Sequence, residues 1–223
     1  MAPGGIALIF DMDNTVLGSR IDFTAIRREL VSVLRAARAT AEAPDALMGR
    51  AIAELVALGA AHDRAHRTQL VPELWRIIEA HEAAGLQDAS ALDGAPAVLR
   101  ALRDRGYRIA ILTNNGREPA LAALRAAGLD GCAETIVARD DVAALKPAGD
   151  GVREALRRLG GVARAYVIGD SWIDGAAAAE AGAVFIAYRR SAEELRRRGI
   201  EPWRVIMHLG ELLSLPLARG PTS

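Results

Sequence analysis

The chain has 223 residues, enough for one large domain or a core with a small insertion, and its hydrophobic fraction of 51% is that of an ordinary globular protein. Lys and Arg number 28, as do Asp and Glu, so the formal charge is zero and no global basic field recommends nucleic acid as a partner. One cysteine, Cys132, excludes an intrachain disulfide, and no apolar run has the length of a membrane span or the flanks of a signal core, so a cytoplasmic protein without a membrane partner is expected.

The first apolar run, Ile6-Ala7-Leu8-Ile9-Phe10, is short and lacks a helical period, which predicts a fully buried parallel strand. Asp11 and Asp13 follow at its carboxyl end, the place where open α/β sheets bind ligands. Two carboxylates so close crowd each other's charge and call for a cation or a shared proton. Taken alone, the Asp13-Asn14-Thr15 stretch reads equally well as a solvated turn.

Phe23, Ile26, Leu30, Val33 and Leu34 recur at helical spacing and predict an amphipathic helix over about 22–38. Two more helices are expected over about 45–60, preceded by Pro44, and about 68–84, with Pro72 near its start. No strand-like run interrupts them, so residues 17–91 read as a small all-α insertion. From Leu92 strands and helices alternate, the pattern of a Rossmann-like parallel sheet with helices on both faces.

The alternation runs as a helix over about 95–105 ended by Gly106, a strand over 108–112, and a helix opened by Glu118-Pro119 and ended by Gly128. A strand over 135–138, a helix over 150–159, a strand over 165–168, a helix over 172–181 and a strand over 183–187 follow. A short helix near Ala192, an edge segment over 204–207, a helical turn and a frayed tail over 219–223 complete the chain. The core is thus expected to comprise 1–16 and 92–223.

Three later stretches carry chemistry that matches the first strand end. Thr113 follows Ile109-Ala110-Ile111-Leu112 directly, so its hydroxyl and the amides of Asn114 and Asn115 suit phosphate oxygens beside Asp11. Lys146-Pro147 lies in a loop after Arg139-Asp140-Asp141-Val142, where a lone lysine is ordinarily a solvated charge. Gly169-Asp170-Ser171-Trp172-Ile173-Asp174 places one acid after a buried run and another in the first helical turn, where acids also serve as plain helix stabilisers. Four carboxylates at one sheet end are costly without a divalent cation, and Mg²⁺ prefers one or two carboxylates, waters and phosphate oxygens.

Together and in this order the four stretches resemble the haloacid dehalogenase superfamily of hydrolases. The resemblance implies that Asp11 is the nucleophile that becomes an aspartyl phosphate, and that Asp13 protonates the leaving oxygen and then activates water. It implies that Thr113, Asn114 and Lys146 hold the phosphoryl group. It further implies that Asp170, a carboxylate oxygen of Asp11 and the Asp13 main-chain carbonyl bind Mg²⁺, with Asp174 completing or supporting the shell. Asn14 departs from the glycine that many members have there, but asparagine tolerates the left-handed conformation. The insertion at 17–91 resembles the family's helical cap, and with Arg139-Asp140-Asp141 ahead of Lys146-Pro147 it looks most like the phosphoglycolate phosphatase branch.

A phosphatase acting on a small-molecule phosphomonoester is therefore expected, as a monomer or homodimer. A phosphomutase of the same family remains open, and so does a phosphorylation-switched aspartate-accepting signalling module, although a receiver domain has no helical insertion after its first strand. A dehalogenase has no use for Asp13 as an acid. His62, His66 and His81 lack metal-ligand spacing, Trp75 reads as cap core, and Arg64, Arg67 and Arg196-Arg197-Arg198 read as solvated charges.

Overall fold

The computed structural model describes residues 5–217 and divides the chain into two compact units, one formed by residues 20–88 and the other by the residues before and after them. The first strand, β1 (Gly5–Asp11), is buried from Ala7 onward, and Ala7, Leu8, Ile9 and Phe10 are wholly inaccessible. Both its faces are covered, as its unbroken apolar run requires. Past the next turn, β2 (Leu17–Gly18) pairs antiparallel with β3 (Ser90–Ala91). This ribbon had no sequence signature, because strands of two residues are too short to show a period.

Residues 20–88 contain α1 (Phe23–Ala36), α2 (Pro44–Met48), α3 (Ile52–His66) and α4 (Leu70–Leu86). Asp22 caps α1 by accepting the Thr24 and Ala25 amides at 3.0 and 2.8 Å. The single helix expected over 45–60 is in fact two. The break falls at 49–51, where the Arg50 carbonyl accepts from Arg27 Nε at 3.2 Å and its guanidinium pairs with Glu42 at 2.6 Å. A new helix then starts with the Glu54 carboxylate reaching back to the Ala51 amide at 2.6 Å. Ile26, Leu30, Leu34, Leu55 and Leu74 form the interior of this unit. Its packing is tight at Gly59, where a Cβ would lie 2.6 Å from Leu74 Cδ1.

The other unit continues with α5 (Ala95–Asp104), β4 (Arg108–Leu112), α6 (Arg117–Ala126), β5 (Thr135–Val137) and a 3₁₀ turn at Arg139–Asp141. Then come α7 (Asp150–Leu159), β6 (Val162–Gly169), α8 (Trp172–Glu180), β7 (Val184–Tyr188), α9 (Ala192–Arg196), β8 (Arg204–Ile206) and a second 3₁₀ turn, Leu209–Leu213. The six-stranded sheet has the order β5-β4-β1-β6-β7-β8 and is parallel throughout. β6 begins three residues before the predicted 165–168, since half-buried Arg164 masks its start in the sequence. The tail expected over 219–223 lies outside the described residues.

On one face of the sheet Ala7, Ile9, Ala110, Leu112, Val167 and Phe185 form a core with Val152, Ala155 and Leu159 of α7 and Ala177 and Ala178 of α8. The alternate side chains Leu8, Phe10, Ile111 and Tyr166 are equally buried, and α5 packs on β4 with Leu99 and Leu102 inaccessible. Cys132 is a buried filler. No described helix is long and apolar enough to cross a membrane. The register sets Asp11 level with Leu112 and Phe10 level with Ile168, so Thr113 and Asp170 leave the sheet at the same rim as Asp11.

Candidate active site

The parallel register brings the separated strand ends of the sequence into one cluster. Lys146 is its hub: Nζ lies 2.5 Å from Asp11 Oδ1, 2.7 Å from Asp174 Oδ1 and 3.4 Å from the Leu112 carbonyl. The lysine is 3% exposed, which overturns the ordinary reading of a lone loop lysine as a solvated charge. Asp11 Oδ2 accepts the Thr15 hydroxyl at 3.1 Å, so both oxygens of that carboxylate are held. Asn14 makes the turn between them with φ at 58°, the left-handed conformation that asparagine tolerates.

Carboxylate oxygens of Asp11, Asp170 and Asp174 lie within 4.8 Å of one another. Asp174 does double duty, for its Oδ2 accepts the Ser171 amide at 3.1 Å and opens α8 while Oδ1 meets Lys146. Asp13 stands apart from this trio. Its Oδ2 accepts from Asn115 Nδ2 at 2.7 Å, and its Oδ1 is buried without a partner among the described residues.

Charge in this cluster is out of balance, with Asp11, Asp13, Asp170 and Asp174 set around one lysine. Burial pushes the Asp11 carboxyl well above the usual range against the pull of Lys146, with Asp174, Asp170 and Asp13 adding to the rise. Burial and the neighbouring Asp174 raise Asp170 to about 7, with Arg190 and Lys146 opposing. Asp13 is raised by burial too, while its polar neighbours Ser19 and Asn115 and the Lys146 charge pull it down. Burial alone would lower the Lys146 ammonium, but Asp11 and Asp174 outweigh it and hold it above its ordinary value. Three convergent oxygen ligands carrying more negative charge than Lys146 neutralises are a donor set suited to a hard divalent cation.

Thr113 is 2% exposed, its amide tied to the Val137 carbonyl at 2.9 Å. The Asn115 amide donates to Thr113 Oγ1 at 3.1 Å. The Asn114 side chain is committed to the Lys146 main chain, receiving its N–H and donating to its carbonyl, both at 3.0 Å. The sequence reading missed three contributions: this clamp, the side chain of Asn115 on Asp13, and Arg190, whose Nε donates to the Asp170 carbonyl at 2.9 Å. For Arg190 a signal existed, since Arg189-Arg190 directly follows the β7 run and so emerges at the same rim.

The family model described as haloacid dehalogenase-like hydrolase matches residues 7–182. A phosphoglycolate phosphatase of Rhodospirillum rubrum is 33% identical over 226 residues, covering 96% of this chain and 93% of that protein. Pyrophosphatase PpaX of Halalkalibacterium halodurans is 28% identical over 167 residues, covering 74% of this chain and 69% of that one. Among solved structures, a HAD family hydrolase from Deinococcus radiodurans with bound phosphate and sodium superposes with a TM-score of 0.62 at 27% identity and covers 100% of both chains.

Proposed function

The chain belongs to the haloacid dehalogenase-like hydrolases, and we propose that it is a Mg²⁺-dependent phosphatase of a small phosphomonoester, phosphoglycolate-like in its substrate, working through an aspartyl phosphate on Asp11. The observation that carries this reading is the division of labour between two carboxylates on one loop. Asp11 is buried and held by Lys146 and Thr15, whereas Asp13, two residues on, is held by Asn115 with one oxygen left over.

Asp11 attacks phosphorus, and its orientation by Lys146 and Thr15 removes the rotational freedom that an unheld carboxylate would have to lose in the transition state. Lys146 also offsets charge on the transferring group, with Thr113 and Asn114 beside it. Asp13 gives a proton to the leaving oxygen and later takes one from water. Asp11, Asp170 and the Asp13 main-chain carbonyl would hold Mg²⁺, with Asp174 in support. When bound, the ion neutralises the clustered carboxylates and polarises the phosphoryl oxygens. Residues 20–88 are read as the cap that selects the substrate, since every residue assigned to chemistry lies outside them.

The relatives' names favour a carboxylate-bearing phosphomonoester first and pyrophosphate second. A panel of phosphoglycolate, sugar phosphates, nucleotides and pyrophosphate, assayed with Mg²⁺ and with excess chelator, separates them. Phosphoglycolate is expected to give the highest kcat/KM, with turnover lost in chelator. Preference for pyrophosphate would support the second reading, and full activity in chelator would remove the metal from the mechanism.

A further inference from the structure

The loop after β4 uses two consecutive asparagines in different ways: Asn114 clamps the Lys146 main chain, and Asn115 reaches 102 positions back in sequence to Asp13. The Asn115–Asp13 contact, 2.7 Å from Nδ2 to Oδ2, is buried, with Asn115 3% and Asp13 8% exposed. An ionised carboxylate only accepts hydrogen bonds, so the atom facing it is the amide nitrogen. Asn115 is itself fixed at both main-chain atoms. Its N–H donates to Thr113 Oγ1 at 3.1 Å and its carbonyl accepts the Arg139 amide at 3.0 Å.

The other oxygen of Asp13, Oδ1, is buried and has no hydrogen-bond partner among the described residues. Ser19 Oγ is also buried and lies beside Asp13, close enough that its hydroxyl pulls the Asp13 carboxyl down. Buried polar atoms short of partners are uncommon, and Asp13 Oδ1 is thereby left able to meet a substrate or water oxygen.

We propose that Asn115 is the positioning residue of Asp13: by occupying Oδ2 it sets the rotation of the carboxyl group and leaves Oδ1 as the oxygen that exchanges protons with substrate and water. The inference rests on the reading of Asp13 as the acid–base group. In the first half-reaction a carboxylate oxygen of Asp11 bonds to phosphorus as the ester P–O bond breaks. The leaving oxygen takes the proton from Asp13 Oδ1 and departs as the alcohol. In the second half a water oxygen bonds to phosphorus, the acyl-phosphate P–O bond breaks to restore the Asp11 carboxylate, and the proton of that water goes to Oδ1. Carboxyl rotation about χ2 is broad when unrestrained, so loss of the Asn115 donor lets Oδ1 drift from the leaving oxygen.

An asparagine that merely stabilised the loop would, on removal, slow every substrate alike. A positioning residue for the proton donor slows the first half-reaction, which kcat/KM reports, only for those substrates that need the proton. The test measures kcat/KM with Mg²⁺ on p-nitrophenyl phosphate, whose phenolate leaves unprotonated, and on a simple alkyl phosphate, whose alkoxide does not. Asn115→Leu removes the donor at nearly constant volume, Asn115→Ala stands in if the leucine variant fails to fold, and Asp13→Asn is measured in parallel. For the Asn115 variants the alkyl ester is expected to lose about 10²-fold and the aryl ester less than about fivefold. Their Mg²⁺ affinity by calorimetry should change little, since Asn115 meets the Asp13 carboxyl and not the main-chain carbonyl proposed as the ligand. Equal losses on both esters, or none, overturn the proposal for Asn115 while an ester-selective Asp13→Asn keeps the acid–base reading. An Asp13→Asn variant without selectivity overturns both.

Discussion

Replacing Lys146 by Met tests whether the clustered carboxylates are held together by a single buried cation. The ammonium is 2.5 Å from Asp11 and 2.7 Å from Asp174, whose side chains are 10% and 1% exposed, so its removal strands two buried charges next to Asp13 and Asp170. Breaking a buried pair from one side typically costs about 3–5 kcal/mol. For a chain of this size that is a drop in Tm of about 6–20 °C. The cost should depend on pH in a defined direction. Lys146 opposes the rise of the Asp11 and Asp170 carboxyls, so without it both titrate higher still in the folded state. A carboxyl whose folded pKa is raised binds more protons folded than unfolded, so stability falls as pH climbs from its unfolded value through its folded one. The deficit of Lys146→Met in chelator should therefore be small at pH 5 and full at pH 8. Mg²⁺ at a hundredfold excess over Kd should stabilise the variant by about 2.7 kcal/mol relative to the same variant in chelator. Scanning calorimetry of both proteins at the two pH values reads this directly. A variant within about 1 kcal/mol of the parent at pH 8 would refute the reasoning, being below the range for a stranded buried charge, as would a deficit that ignores pH.

Two further outcomes follow from local geometry. A Cβ at position 169 would lie 2.5 Å from Asp174 Cγ and Oδ2, so Gly169→Ala must displace that carboxylate. Calorimetric titration with Mg²⁺ should show affinity about tenfold weaker; unchanged affinity would mean that Asp174 is not part of the cation site. At Asp141, burial would raise the carboxyl, but hydrogen bonds from the Ala138 amide and the Arg158 and Arg117 guanidiniums outweigh it and hold it below the usual range. A depressed carboxyl stabilises the fold above its unfolded pKa, about 4, and loses that contribution as pH falls below it. Asp141→Asn should therefore lower Tm by a few degrees at pH 7 and by progressively less below pH 4, and an equal loss at both would show that packing, not charge, is what the substitution removes.

The strand ends were legible because each follows an unbroken apolar run, and a parallel sheet must place such ends at one rim. Asp11, Thr113 and Asp170 could thus be assembled without coordinates. Lys146 was harder, since its loop carries no strand signal and its burial arises from partners 135 and 28 residues away. The side-chain bonds of Asn114 and Asn115 were not legible at all. Both asparagines read as donors toward phosphate oxygens, and which neighbour each side chain meets instead depends on the register of β4 against β1 and on the path of the 146 loop. The break between α2 and α3 escaped for a different reason. Alanine-rich sequence supports helix on either side of Gly49, and only the Glu54 carboxylate turning back to Ala51 marks the new start.

The most direct test of the central claim is where phosphate goes. In the presence of Mg²⁺, acetyl phosphate supplies a phosphoryl group on a leaving group that needs little protonation, so Asp13→Asn should still form a covalent intermediate and fail to hydrolyse it. Intact-mass measurement should show one added phosphoryl group, and peptide mapping should place it on Asp11. Asp11→Asn should show neither the adduct nor any turnover. Phosphate on another residue, or turnover by Asp11→Asn, would contradict the account.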